Sequence, residues 1–154
     1  MAAKRAYPEQ PVVGVGGVVV IDGRALLIRR GSEPLKGEWS IPGGTLELGE
    51  TLVEGVRREL REETGLDVKV LELIEVFERI FPERQGGPDR TQRPQYHFVI
   101  LDYLCEAVWG TPRPGGDVTE IAFVSEGELG RYNLTPAAIR VLRKAFALAR
   151  ARSK

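Results

Sequence analysis

Hydrophobic positions along this 154-residue chain alternate between strand-like and helix-like runs. Val12 to Ile21 is apolar almost throughout and rich in valine and glycine, the pattern of a buried strand. Asp22-Gly23 follows, a dipeptide suited to a two-residue hairpin, and Ala25 to Arg29 reads as the returning strand. Gly31 to Glu38 is a polar loop, and Trp39 to Pro42 an extended piece running into Gly43-Gly44. Thr51 to Thr64 has helical spacing. Thr51 with Glu54 three residues later forms a capping box, and Gly65 supplies the left-handed residue that closes the far end. Strands are predicted over Val68 to Phe77, Tyr96 to Ala107 and Val118 to Val124. Two loops separate them: Pro82 to Gln95, long enough to suggest a functional role, and Thr111 to Asp117. Thr135-Pro136 opens a last helix as N-cap and first helical residue, with Ile139, Leu142 and Phe146 as its apolar stripe. The pattern predicts a flexible N-terminus over residues 1–10, one mixed α/β domain over 11–150 and a short tail at 151–154.

The helix after Thr51 carries the chemistry. At about 100° per residue from Leu52, Val53, Val56 and Leu60 fall within about 100° of it and form a core-facing stripe. Glu59, Glu62 and Glu63 fall at about −20°, −80° and +20°, against the edge of that stripe. Carboxylates bunched at the rim of a core repel one another and lose hydration, which raises their pKa values. A hard divalent cation such as Mg²⁺ resolves that conflict, because it takes carboxylate and carbonyl oxygens as ligands. Gly44, with no side chain, leaves its carbonyl open to an ion. Arg58, at about −120°, lies next to Glu62 and can orient a carboxylate. Glu50 can accept from that arginine or reach a metal through water.

Composition narrows the partners. Lysine and arginine together number 22, as do aspartate and glutamate, so no net positive charge is available for gripping nucleic acid or an anionic membrane. The ten residues Val12 to Ile21 include three glycines and are too short to cross a bilayer. The N-terminus lacks the apolar core of a signal peptide, so a cytoplasmic protein is expected. A single cysteine, Cys105, and a single histidine, His97, exclude an internal disulfide, a cysteine-built zinc site and a histidine cluster. Neutrality is a sum of opposed patches. Glu47 to Glu63 holds six glutamates and three arginines, whereas Thr135 to Lys154 holds six basic residues and no acidic one.

Gly44, Glu50, Arg58, Glu59, Leu60, Glu62, Glu63, Gly65 and Leu66 fill every fixed position of the Nudix box, and the segment resembles that of the Nudix hydrolases. The box covers 23 residues, and the order of elements around it is similar to the family's α/β/α sandwich with a mixed β-sheet. The resemblance implies hydrolysis of a diphosphate linkage in a nucleoside diphosphate derivative, with Mg²⁺ or Mn²⁺ as cofactor. It implies Gly44, Glu59, Glu62 and Glu63 as metal ligands and a general base among Glu62, Glu63 or, outside the box, Glu120, with Asp117 as a weaker rival. Arg30 and Arg84 are candidates to meet phosphate oxygens, and Trp39 and Tyr96 to stack on a base. Pro82 stands sixteen residues after the box, a spacing that resembles the ADP-ribose pyrophosphatase subgroup and leans the reading toward ADP-ribose or a nucleoside diphosphate sugar. A (d)NTP or oxidised-nucleotide hydrolase is the alternative, and a non-catalytic ligand-sensing domain the second. Many relatives are dimers, and the apolar N-terminal strand offers one surface that could pair across a homodimer interface.

Overall fold

The computed structural model describes residues 5–82 and 93–153. The strands are β1 (Val12–Ile21), β2 (Arg24–Arg30), β3 (Trp39–Ser40), β4 (Gly43–Thr45), β5 (Asp67–Phe81), β6 (Tyr96–Trp109) and β7 (Val118–Ser125). The helices are α1 (Leu52–Thr64) and α2 (Pro136–Arg152), with a 3-10 turn over Glu126–Arg131 that the sequence pattern did not mark. The seven strands form one sheet in which β3, β2, β1, β6 and β5 follow in order, β4 pairs with β1 and β7 pairs with β2. β1 and β6 run parallel, and the other pairs are antiparallel. The mixed sheet with helices on its faces is the α/β architecture expected.

β1 organises the layers. Its alternate residues face opposite ways. Val15 and Val19 join Val56, Leu60, Leu66 and Cys105 under α1, and Val18 joins Leu104, Val141, Leu142 and Phe146 under α2. Gly17 is required on the α1 face, because a Cβ there would lie 2.8 Å from Leu60 Cδ2 and 2.9 Å from Cys105 Sγ. The missing side chain lets α1 sit close to the strand. β1 is an interior strand, hydrogen-bonded to β6 on one edge and to β4 and β2 on the other. It therefore has no free edge along which a second copy could add a strand.

α1 follows its local code. Thr51 accepts from the Glu54 amide, Glu54 accepts from the Thr51 amide, and Gly65 adopts φ 74° at the far end. The predicted apolar stripe is corrected at Val53, which is exposed. The buried face turns instead toward Gly55 and Glu59, because Gly55 packs against Leu46 and Val15 where any Cβ would collide.

The basic character of α2 is answered by β5 and the 3-10 turn. Glu75 takes Arg140 and Lys144, Glu72 takes Arg152, and Glu126 takes Arg150. Hydrogen bonds from Arg140 and Lys144 hold the Glu75 carboxyl down at about 2. A carboxyl depressed in the folded state stabilises fully above its ordinary range and loses that contribution as pH falls toward 2. The melting-temperature difference between the native chain and Glu75→Gln is expected to be greatest above pH 5 and to close between pH 5 and 2. A gap independent of pH over that window would refute the assignment.

Candidate functional site

The sheet places two clefts side by side. The larger, about 700 Å³, is polar and is lined by Glu47, Glu59, Glu62 and Glu63 together with Gly44 and Asp117. The smaller, about 130 Å³, is mainly apolar and lies on the α2 face of β5, β6 and β1, with Phe77, Phe81, Phe98 and Ile100 in its wall. Arg5, Arg30, Gly43, Gly44 and Thr45 line both, so the clefts meet along the β2–β4 side.

Glu59 is 9% exposed and Glu63 is half-buried, whereas the side chain of Glu62 is 56% exposed. Gly44 fits closely over the first of them. A Cβ at Gly44 would lie 2.5 Å from the Glu59 carboxyl carbon, so the carboxylate occupies space that only a glycine leaves. The Gly43 amide donates to Glu63 Oε1 at 2.7 Å. Burial nevertheless pushes the Glu63 carboxyl up to about 8 and raises Glu59 as well, with the neighbouring glutamates adding to both. These are the displaced titrations expected of acids crowded at a core edge.

Arg58 organises the cluster. Its Nε donates to Glu50 Oε2 at 2.6 Å and one terminal nitrogen to Glu50 Oε1 at 2.9 Å, a two-pronged pair. The same nitrogen reaches the Thr45 carbonyl at 3.0 Å, and the other donates to Glu59 at 2.8 Å and Glu62 at 3.3 Å. The hydrogen bond from Arg58 holds Glu50 below the ordinary carboxylate range. Among the described residues no three acidic, histidine or cysteine side chains converge on one point in this arrangement. The donors are still all oxygens, the set a hard divalent cation takes, and the exposed Glu62 can turn with little obstruction.

The last turn of α1 is pinned from outside. The Arg113 amide donates to the Thr64 carbonyl at 2.9 Å and the Gly115 amide to the Glu63 carbonyl at 3.0 Å. A Cβ at Gly115 would collide with the Glu62 carbonyl, so the loop before β7 needs glycine to lie this close. The same loop brings Asp117 into the polar cleft.

The remaining candidates divide. Arg30 lies at the junction of the clefts, its Nε donating to the Pro34 carbonyl at 2.7 Å. Burial lowers its pKa, opposed by the facing Glu63. Glu120 does not line either cleft. Its side chain is 53% exposed and pairs with Arg29, its register neighbour on β2, because strand alternation turns it outward. Trp39 packs edge-on to Tyr132 at 5.2 Å against the α2 core and does not line a cleft. Tyr96 meets Phe81 and Phe98, which take the lining positions expected of it. Arg84 lies outside the described residues. Asp102 was not singled out by the sequence pattern, although a lone carboxylate in an apolar strand is a readable signal; it is buried on β6 and lines the apolar cleft.

The NUDIX domain model matches residues 10–145. The chain is 37% identical over 113 residues to an ADP-ribose pyrophosphatase of Methanocaldococcus jannaschii, covering 73% of this chain and 61% of that one. It therefore spans about three-fifths of that relative's length. A MutT-like protein of Streptomyces ambofaciens is 37% identical over 131 residues, covering 84% of this chain and 74% of the relative. The crystal structure of a MutT NUDIX hydrolase from Burkholderia pseudomallei superposes with a TM-score of 0.74 at 32% identity, over 88% of this chain and 98% of the other. No helix among the described residues is long and apolar enough to cross a membrane. The family model covers the glutamate helix and the sheet beneath it, and the chain belongs to the Nudix hydrolase family.

Proposed function

We propose that this chain hydrolyses the diphosphate linkage of a nucleoside diphosphate derivative of the ADP-ribose or sugar-nucleotide kind. The observation that carries this reading is the junction of two clefts, one lined by three crowded glutamates and the other by aromatic and apolar side chains, with Arg30 between them. A nucleotide, with charged phosphates and a flat base at one end, suits that layout. The relative from Methanocaldococcus jannaschii, named for ADP-ribose, supports the choice.

Family members generally use divalent metal ions. In this chain Glu59, Glu62, Glu63 and the Gly44 carbonyl would hold the metal, which suits their all-oxygen chemistry and the space Gly44 leaves. Held by these residues, a divalent cation would supply charge neutralisation for the diphosphate and activation of water near neutral pH. Arg58 keeps Glu59 turned toward the cleft and balances the acidic cluster through Glu50. Arg30 offers its guanidinium to the phosphate nearest the apolar cleft. The proton of the attacking water would pass to Asp117, or to Glu62 or Glu63 where that carboxylate is released from the metal.

The test is incubation with ADP-ribose and Mg²⁺, with the products separated by chromatography. AMP plus ribose 5-phosphate is the expected outcome, abolished by a chelator. Nucleoside monophosphate plus pyrophosphate from a triphosphate panel, with ADP-ribose left intact, would favour the alternative substrate class. No turnover of any diphosphate would overturn the reading. Glu120→Gln is expected to keep kcat within about threefold of the native value, since a general base contributes a hundredfold or more and Glu120 stands outside the cleft. A hundredfold loss in steady-state assays would return Glu120 to the reaction.

A further inference from the structure

Asp102 is buried on β6, and its carboxyl opens on the apolar cleft. It is 4% exposed, and among the described residues no hydrogen bond or ion pair reaches its carboxyl. Its β5 neighbour in register, Glu75, is engaged by Arg140 and Lys144 on α2, so those cations serve Glu75. Arg30 donates its Nε to the Pro34 carbonyl and makes no ion pair with Asp102, and Arg79 lies over the Phe81 ring at 4.8 Å. The strand on the other side also makes way. Gly16 pairs with Asp102 in register, and a Cβ there would collide with Asp102 Oδ1 and approach the Pro42 carbonyl at 3.0 Å. That carbonyl is an acceptor too, already taken by the Gly17 amide.

A carboxyl in a cleft wall of acceptors and aromatic rings is poorly hydrated and gains from a donor brought into the cleft. Burial, with Glu75 nearby, pushes it up to about 7, which marks the same deficit. The aromatic wall formed by Phe77 and Phe98 can take the face of a flat ring, and Asp102 then lies at the ring's edge. We propose that Asp102 is a specificity-determining residue that accepts a hydrogen bond from the exocyclic amino group of a purine base held in the apolar cleft. The inference rests on the proposed function for the identity of the ligand class, since the base belongs to the nucleoside diphosphate cleaved at the glutamates.

The fold does not need this carboxyl, and that separates a recognition role from a structural one. Leu is close to Asp in shape and suits an apolar strand. Asp102→Leu is therefore expected to melt at the same temperature as the native chain or higher, while losing recognition. The experiment is equilibrium binding by calorimetry, which needs no turnover. Native protein is titrated with AMP and with purine riboside 5′-monophosphate, which lacks only the 6-amino group, and with GMP and IMP, which differ by the 2-amino group.

In at least one pair the amino-bearing nucleotide is expected to bind about tenfold more tightly or better, the size of a hydrogen bond to a buried acidic group. That ratio falls below threefold in Asp102→Leu. Ratios below threefold for both pairs in the native protein would overturn the proposal, and so would no saturable binding of any of the four. A ratio unchanged in Asp102→Leu, or a variant that unfolds well below the native temperature, does the same. Discrimination in binding without any diphosphate hydrolysis would sink the proposed function and leave Asp102 as the reader of the base. Hydrolysis without discrimination would do the reverse.

Discussion

Glu59→Gln is expected to lower kcat by about a thousandfold, the several kcal/mol of charge stabilisation that a metal ion contributes to a reaction of this kind. The substitution keeps the shape and removes the charge of the most buried glutamate in the cleft. The fold should tolerate it. Burial already disfavours the ionised form of Glu59, and Arg58 keeps its two-pronged pair with Glu50 when Glu59 is neutral. Melting temperature is expected to stay within a few degrees while activity disappears. That split between stability and turnover separates a ligand from a structural residue. A loss of less than tenfold under saturating Mg²⁺ would remove Glu59 from the metal-holding set.

Arg58→Ala should produce the opposite balance, with stability as the larger casualty. The guanidinium reaches Glu50, Glu59, Glu62 and the Thr45 carbonyl, and its side chain and those of Glu50 and Glu59 are mostly removed from water. Deleting it leaves two nearly buried carboxylates without their cation, at a cost of about 3 kcal/mol. For a domain of this size that corresponds to a melting temperature lower by about 10 °C. Activity should fall as well, by roughly 10- to 100-fold, because Glu59 loses the group that orients it. Arg58→Lys should recover only part of the stability, since an ammonium cannot span Glu50 and the Thr45 carbonyl in one plane. Differential scanning calorimetry decides the matter. A shift under 2 °C for Arg58→Ala would mean that the network holds little.

Much of α1 was legible because its determinants are local. Thr51, Glu54 and Gly65 specify both ends within a few residues, and the spacing of Glu59, Glu62 and Glu63 puts them on one side of the helix. The flanking elements followed from apolar runs bounded by glycine and proline, although β5 continues to Phe81, four residues past the predicted Phe77. What could not be read depends on register between distant strands. Glu120 and Asp117 are three residues apart, yet pairing of β7 with β2 sends Glu120 to Arg29 while the preceding loop carries Asp117 into the cleft. Trp39 resembles a stacking residue in sequence, and only the fold brings Tyr132 against it. Val53 fits the helical stripe by angle, but Gly55 lets the helix settle on a different face. Asp102 lacks meaning until Gly16 and the phenylalanines of β5 are placed around it.

The contacts that Arg113 and Gly115 make with the end of α1 also separate two kinds of motion. Helix ends ordinarily fray, and fraying would carry Glu62 and Glu63 with it. Here the carbonyls of Glu63 and Thr64 accept amides from another loop. Their backbone is held while the side chain of Glu62 stays open to solvent. Rotation about its side-chain bonds takes picoseconds to nanoseconds, whereas opening of the turn belongs to the much slower regime seen by amide exchange. The Glu62 carboxylate can therefore rearrange around an arriving or departing ligand many times during each opening of the peptide that carries it.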